Sequence, residues 1–196
     1  MLIQCFQNQL FENNRCKHPS GNILEIRNSD RDGDLKKVFL DCAGFDKVLL
    51  IDPEPKKGAS ICTLFQRSGH HMKTCDGIVL VERDDAVHAI FCELKTSWDP
   101  SSIQQIRNTK LIYDYATAIA HEWYVKSPKA VRPWFAVLCK NGFPTKKYGT
   151  AFKAGTIPIS HKPSSDPLQP RRIHLTEKLG QVPERPILIT EMAKFA

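Results

Sequence analysis

The chain holds 196 residues, 28 of them Lys or Arg against 21 Asp or Glu, so its formal charge is +7. Hydrophobic residues make up 41% and charged residues 25%, the composition of an ordinary globular domain that can bury a core without disulfides. No apolar run approaches the ~20 residues of a membrane-spanning helix, which excludes a helical membrane protein.

The N-terminal stretch MLIQCFQNQLFENN has neither a basic start nor a small-residue cleavage site, which argues against a secretory signal and for a cytoplasmic location. Cys5, Cys16, Cys42, Cys62, Cys75, Cys92 and Cys139 form an odd, scattered set. They read as free thiols in a reducing compartment rather than as a disulfide framework. Cys62, His70, His71 and Cys75 lie close in sequence but lack CxxC or HxxxH spacing, so a zinc site is the weaker alternative.

In chain order, Leu2, Phe6 and Leu10 at i, i+4 and i+8 predict a short amphipathic helix over 2–12. Residues 13–35 are polar and turn-rich, interrupted by a strand at Ile23–Ile26. Strand-like runs follow at Lys37–Cys42, Lys47–Asp52 and Ser60–Gln66. Asp76–Glu82 and Val87–Lys95, joined around Arg83-Asp84-Asp85-Ala86, carry a hairpin signal. Asp99-Pro100-Ser101-Ser102 is an N-cap with Pro at the first helical position. The helix it opens runs to about Tyr124, with Ile112, Ala116, Ile119 and Trp123 as the expected apolar face.

Pro128 and Pro133 end that helix, and Trp134–Cys139 is the next strand. The rest is rich in proline and basic residues, with short strands expected at Arg172–Thr176 and Pro186–Thr190 on sheet edges, where proline is tolerated. The order predicts one α/β or α+β domain over 1–196, with a core at about 60–140 and a basic extension at 141–196. The Lys/Arg density of 126–178, interleaved with Trp134, Phe143, Tyr148 and Phe152, suits phosphate contacts and base stacking.

One group of residues carries chemistry. In Phe91-Cys92-Glu93-Leu94-Lys95, Glu93 and Lys95 project to the same side of a strand. A two-residue turn at Asp84-Asp85, or a four-residue turn from Arg83 to Ala86, sets position 76 opposite position 93, so Asp76 joins them on one face, whereas a three-residue turn would send it to the other. Two carboxylates that close repel unless a cation lies between them. A divalent ion such as Mg²⁺ resolves the repulsion with oxygen ligands and activates water, while Lys95 orients or deprotonates that water and adds positive charge at a phosphate. The flanking Ile90, Phe91, Cys92 and Leu94 make the strand apolar on both faces, which argues against a merely solvated ion pair. Gln105 falls on the helical stripe of Ile112, near the N-terminal end, and needs a polar partner there.

Asp76-Gly77, then Glu93-Leu94-Lys95 on the next strand, then Ser102-Ile103-Gln104-Gln105-Ile106 opening a helix, together resemble the PD-(D/E)xK nuclease superfamily over about residues 60–140. The resemblance implies a restriction-endonuclease-like core, a mixed sheet flanked by helices, using Mg²⁺, with Mn²⁺ able to substitute. Asp76 and Glu93 would be metal ligands with the backbone carbonyl of Leu94, Lys95 the catalytic lysine, and Gln105 the helix glutamine of some branches. Cys75 stands where the name-giving proline would be, and the acidic residue many members carry on the first helix is left open between Glu12 and Glu25. The implied function is a metal-dependent nuclease, acting on DNA in preference to RNA, with antiviral defence as fitting biology. Its partners would be nucleic acid and a protein partner or second copy, not a membrane. The alternative is a catalytically silent nucleic-acid-binding or assembly subunit with the same fold.

Overall fold

The structure is a computed structural model that describes residues 2–11, 13–28, 34–53, 73–126, 129–141, 164–168, 170–175 and 186–193. Its elements are a helical turn α1 (Leu2–Cys5) continued by a π-helical turn (Phe6–Leu10), then β1 (Cys16–Lys17), β2 (Ile23–Arg27), β3 (Lys37–Asp41), β4 (Val48–Ile51), β5 (Gly77–Arg83), β6 (Ala86–Lys95), α2 (Ser101–Trp123), β7 (Ala130–Cys139), β8 (Arg171–His174) and β9 (Ile187–Leu188). The expected strand at Ser60–Gln66 lies outside the described residues. No described helix is long and apolar enough to cross a membrane.

The class is mixed α and β. A six-stranded sheet runs in the order β1-β4-β5-β6-β7-β8, and a smaller sheet in the order β2-β3-β9. The large sheet is antiparallel from β1 to β6 and parallel from β6 to β8. Its change of direction falls at α2, the crossover a parallel pair requires. The β5–β6 hairpin pairs Arg83 with Ala86 and Gly77 with Cys92, so its turn is Asp84-Asp85, with Asp84 in the left-handed region at φ 53°. That conformation is one Asp tolerates better than most residues.

The large sheet is covered on both sides. On one face, Val79, Val81, Ile90, Cys92 and Leu94 pack against Leu24, Ile26, Val38, Leu40 and Ile187 of the small sheet. On the other, Ile78, Leu80, Val87, Ala89 and Phe91 pack against Leu2, Ile3 and Phe6 at the N-terminus and Ile106, Tyr113 and Ala120 of α2. Burial on both faces explains why β6 is apolar apart from His88, Glu93 and Lys95. Gly77 sits where the layers close: a Cβ there would lie 2.8 Å from a Leu50 methyl and 3.3 Å from Ile26.

Three sequence readings change. The N-terminal helix leaves α geometry at Phe6, whose carbonyl accepts from Phe11 N–H at 2.9 Å, an i→i+5 bond. Phe6 is thereby fully buried and meets the Tyr113 ring edge-on at 5.4 Å. The buried face of α2 is Ser102, Ile106, Thr109, Tyr113 and Ala120, about one residue around from the expected stripe, and Trp123 is 75% exposed. Finally, Pro133 lies inside β7 opposite Ala89 rather than in a helix-ending loop. β8 pairs only from Ala136 onward. The N–H of Phe135, two residues on, points to that side and meets Ser164 O at 2.9 Å. The missing N–H of Pro133 therefore faces a side of β7 that β8 does not reach.

Candidate active site

The site forms where the hairpin opens. β5 pairs no further than Gly77 opposite Cys92, whereas β6 continues beside β7 as far as Lys95 opposite Cys139. On the β5 side, the backbone of Leu94 has therefore lost its strand partner. Asp76 replaces it: its Oδ2 accepts the Leu94 N–H at 2.7 Å. The Leu94 carbonyl accepts from Asn28 Nδ2 at 3.2 Å, tying the end of β2 to the same notch. Both backbone groups are satisfied by side chains, as a buried strand end requires.

Asp76 is held from behind by the first turns of α2. Gln105 Nε2 donates to Thr74 O at 3.2 Å, and Asn108 Nδ2 donates to Lys73 O at 3.0 Å. The Cys75 N–H donates to Thr109 Oγ1 at 2.7 Å, and the Thr109 hydroxyl donates to Gln105 O at 2.8 Å. Gln104 Nε2 in turn donates to Asn108 Oδ1 at 2.8 Å. Three consecutive residues, Lys73 to Cys75, are thus fixed by three α2 side chains. Gln105 points at the chain leading into Asp76, so its place here is a positioning one.

Glu93 is the buried charge of the site. It is 1% exposed, and Lys95 Nζ lies 2.7 Å from its Oε1. Burial pushes the Glu93 carboxyl up to about 7, against the pull of Lys95 and of hydrogen bonding from Asp76. Its other oxygen, Oε2, is buried without a hydrogen-bond partner among the described residues. For Lys95, burial works against the charge, but Glu93, Asp76 and Asp99 outweigh it and raise the pKa. Lys95 stays an ammonium. The structure therefore brings Asp76, Glu93, Lys95 and the Leu94 backbone together, and it adds Asn28, which no sequence signal marks because its partner is far along the chain.

The other candidates are placed elsewhere. Glu25 lies on the small sheet, paired with Arg27 and, at 3.9 Å, with Lys37, and takes no part in the Glu93 cluster. Glu12 lies outside the described residues, as do Cys62, His70 and His71. Cys75 is fully buried with its thiol donating to Gly77 O at 3.4 Å, and burial raises its pKa. The described cysteines are all free. Among the described residues no group of three or more His, Cys, Asp or Glu side chains is arranged for a metal. A cavity of about 400 Å³ lies at the other end of the hairpin, lined by Leu2, Glu82, Val87 and Lys129 among others, away from this cluster.

Comparison with protein families, curated proteins and solved structures finds no match for this chain.

Proposed function

We propose that the chain is a metal-dependent phosphodiester hydrolase of the PD-(D/E)xK kind, with a restriction-endonuclease-like core and DNA as its substrate. The observation that carries this is Glu93: a buried carboxyl whose pKa is raised to about 7, with one oxygen on Lys95 and the other without a partner among the described residues, directly beside Asp76. One ammonium does not balance the two neighbouring carboxyls Asp76 and Glu93, which leaves room for a second cation. The mixed α and β class leaves room for the resemblance, although the small sheet rather than a helix covers the second face of the large sheet, and DNA over RNA rests on the resemblance alone.

The donor set fits Mg²⁺, a hard ion that takes a few carboxylate or carbonyl oxygens and keeps several waters. Asp76 and Glu93 would hold it, with the second lone pair of the Leu94 carbonyl beside them. When bound, Mg²⁺ would neutralise the carboxylate pair and polarise water at the scissile phosphate. The chain's own residues do the rest. Lys95, kept charged by its acidic neighbours, stabilises negative charge growing on the phosphate oxygens. Gln105, Asn108 and Thr109 keep Asp76 in place.

The test is to incubate the purified protein with plasmid, linear DNA and RNA, with and without Mg²⁺ or Mn²⁺. Cleavage that needs the metal and is lost in Lys95→Ala, while the variant still folds, is the expected result. If Lys95→Ala cleaves as fast as the parent, this site is wrong. If the parent binds nucleic acid but cleaves none in either metal, the silent-subunit reading takes its place.

A further inference from the structure

The outer side of α2 carries an apolar row that the core does not use. Leu111, Tyr115, Ile119 and Trp123 follow one another at intervals of four, so they form one ridge of neighbouring side chains roughly 18 Å long. Leu111 is 69%, Tyr115 67% and Trp123 75% exposed, with Ile119 partly buried between the last two. The ridge lies on the side of α2 turned away from Ile106, Tyr113 and Ala120, which pack on the sheet. A surface helix ordinarily keeps polar residues on its outward side. Scattered exposed leucines need no explanation, but a continuous row does. Leu111, Tyr115 and Trp123 together offer roughly 400 Å² of mostly apolar surface.

The charges beside the ridge indicate what fits it. Arg107 stands at its N-terminal end and Glu122 at its C-terminal end, both exposed. Neither makes an ion pair among the described residues. At about 22 Å along the axis they are too far apart to meet within one helix. Lys110 and Asp114, between them, are already paired at 2.5 Å.

A second α2 laid antiparallel on the first, centred on Tyr115, reverses this polarity. Arg107 of each copy then comes beside Glu122 and Trp123 of the other, an ion pair joined to a cation–π contact. Leu111 meets Ile119, and the two Tyr115 side chains meet at the two-fold axis. Lys126, just past the helix, falls opposite the neutral Gln104. Every contact away from the axis occurs twice, as an isologous interface requires.

We propose that the outer face of α2 is a homodimer interface, in which the ridge from Leu111 to Trp123 packs antiparallel against its own copy. The occupant is a second copy because one face carries both halves of the charge pattern, in the order that only reversal brings together. The area is at the low end for stable complexes, so the dimer is reversible, with a Kd in the micromolar range. The pairing does not depend on the chemistry of Asp76 and Glu93.

Sedimentation velocity on the purified chain, from about 1 µM to about 200 µM, brackets that range. The parent is expected to pass from monomer to dimer with no larger species. Tyr115→Glu puts two like charges at the axis and should leave a monomer throughout. Trp123→Ala should weaken the dimer about tenfold. Arg107→Glu and Glu122→Arg should each weaken it about fivefold. The two changes in one chain should restore the parental affinity, because the exchanged charges again meet across the axis. All four residues are exposed, so each variant should melt as the dilute parent does.

A parent that stays monomeric at the highest concentration overturns the proposal and leaves the ridge to a different partner. A dimer unchanged by Tyr115→Glu and Trp123→Ala also overturns it, since the contact then lies on another face. A double charge exchange no better than either single one overturns the antiparallel pairing. Should Tyr115→Glu melt early, Leu111→Gln reads the same contact, and a dimer as tight as the parent's overturns the proposal.

Discussion

A carboxyl group 1% exposed costs stability whenever it ionises. Glu93 is raised by burial to about 7, while in the unfolded chain it returns to the ordinary carboxyl range. Between those values the folded state holds a proton the unfolded state has released. Stability is therefore full at acid pH and falls as pH rises through about 7. Glu93→Gln, which cannot ionise, is expected to stabilise the metal-free protein at pH 8 by up to about 3 kcal/mol, less whatever Lys95 loses with its partner. The gain should vanish near pH 4. Urea denaturation at both pH values measures it, and an equal effect at both would show that ionisation is not its source. On the proposed metal site, added Mg²⁺ should raise the melting temperature of the parent more than that of Glu93→Gln, because the variant keeps only one of the two carboxylate ligands. The juxtaposition of Asp76, Glu93 and Lys95 is legible in the sequence, since a two-residue turn and a period of two suffice to place them. The Oε2 without a partner among the described residues is not, because it depends on what α2 lays over that face of the strand.

At the scale of elements, α2 acts through its polar first turns as much as through its apolar face. Thr109 is fully buried, and its hydroxyl accepts the Cys75 N–H at 2.7 Å. Thr109→Val keeps the shape but leaves that buried N–H without an acceptor, a cost of about 1–3 kcal/mol. Asp76 follows Cys75 directly, so the same change should lower kcat more than it raises KM, while Thr109→Ser restores both. Thermal melts and cleavage kinetics on the pair check this, and a Val variant that loses stability but keeps parental kcat would leave the clamp purely structural. The sequence shows where α2 begins and ends, from Asp99-Pro100 and from the prolines beyond Tyr124. It does not show which way the helix faces. Leu111 and Tyr115, 69% and 67% exposed, are as apolar as the residues that are buried. The inward stripe includes Ser102 and Thr109, which no hydrophobic pattern selects.

At the scale of the whole molecule, the last segment of the chain closes the small sheet. β9 pairs in parallel with β3, Ile187 beside Leu40. Ile187, Ile189 and Met192 belong to the apolar cluster that contains Val79, Ile90 and Leu94 of the large sheet. Parallel pairing between segments so far apart in sequence leaves no local signature, which is why the short strand near Pro186 could be anticipated at an edge but not assigned a partner. A core shared by both sheets makes their folding mutually dependent. Ile187 is fully buried, and Ile187→Ala removes methyl groups the surroundings cannot fully replace, a loss of about 2–5 kcal/mol. For a chain of this length that should lower the melting temperature by roughly 5–15 °C. The unfolding should remain one transition, with near-ultraviolet circular dichroism, which reports Trp98 and Tyr113 on the far face and Trp134 against the shared cluster, moving together with the far-ultraviolet signal. An early transition confined to the far-ultraviolet, with the aromatic signal melting at the parental temperature, would show that the small sheet unfolds on its own.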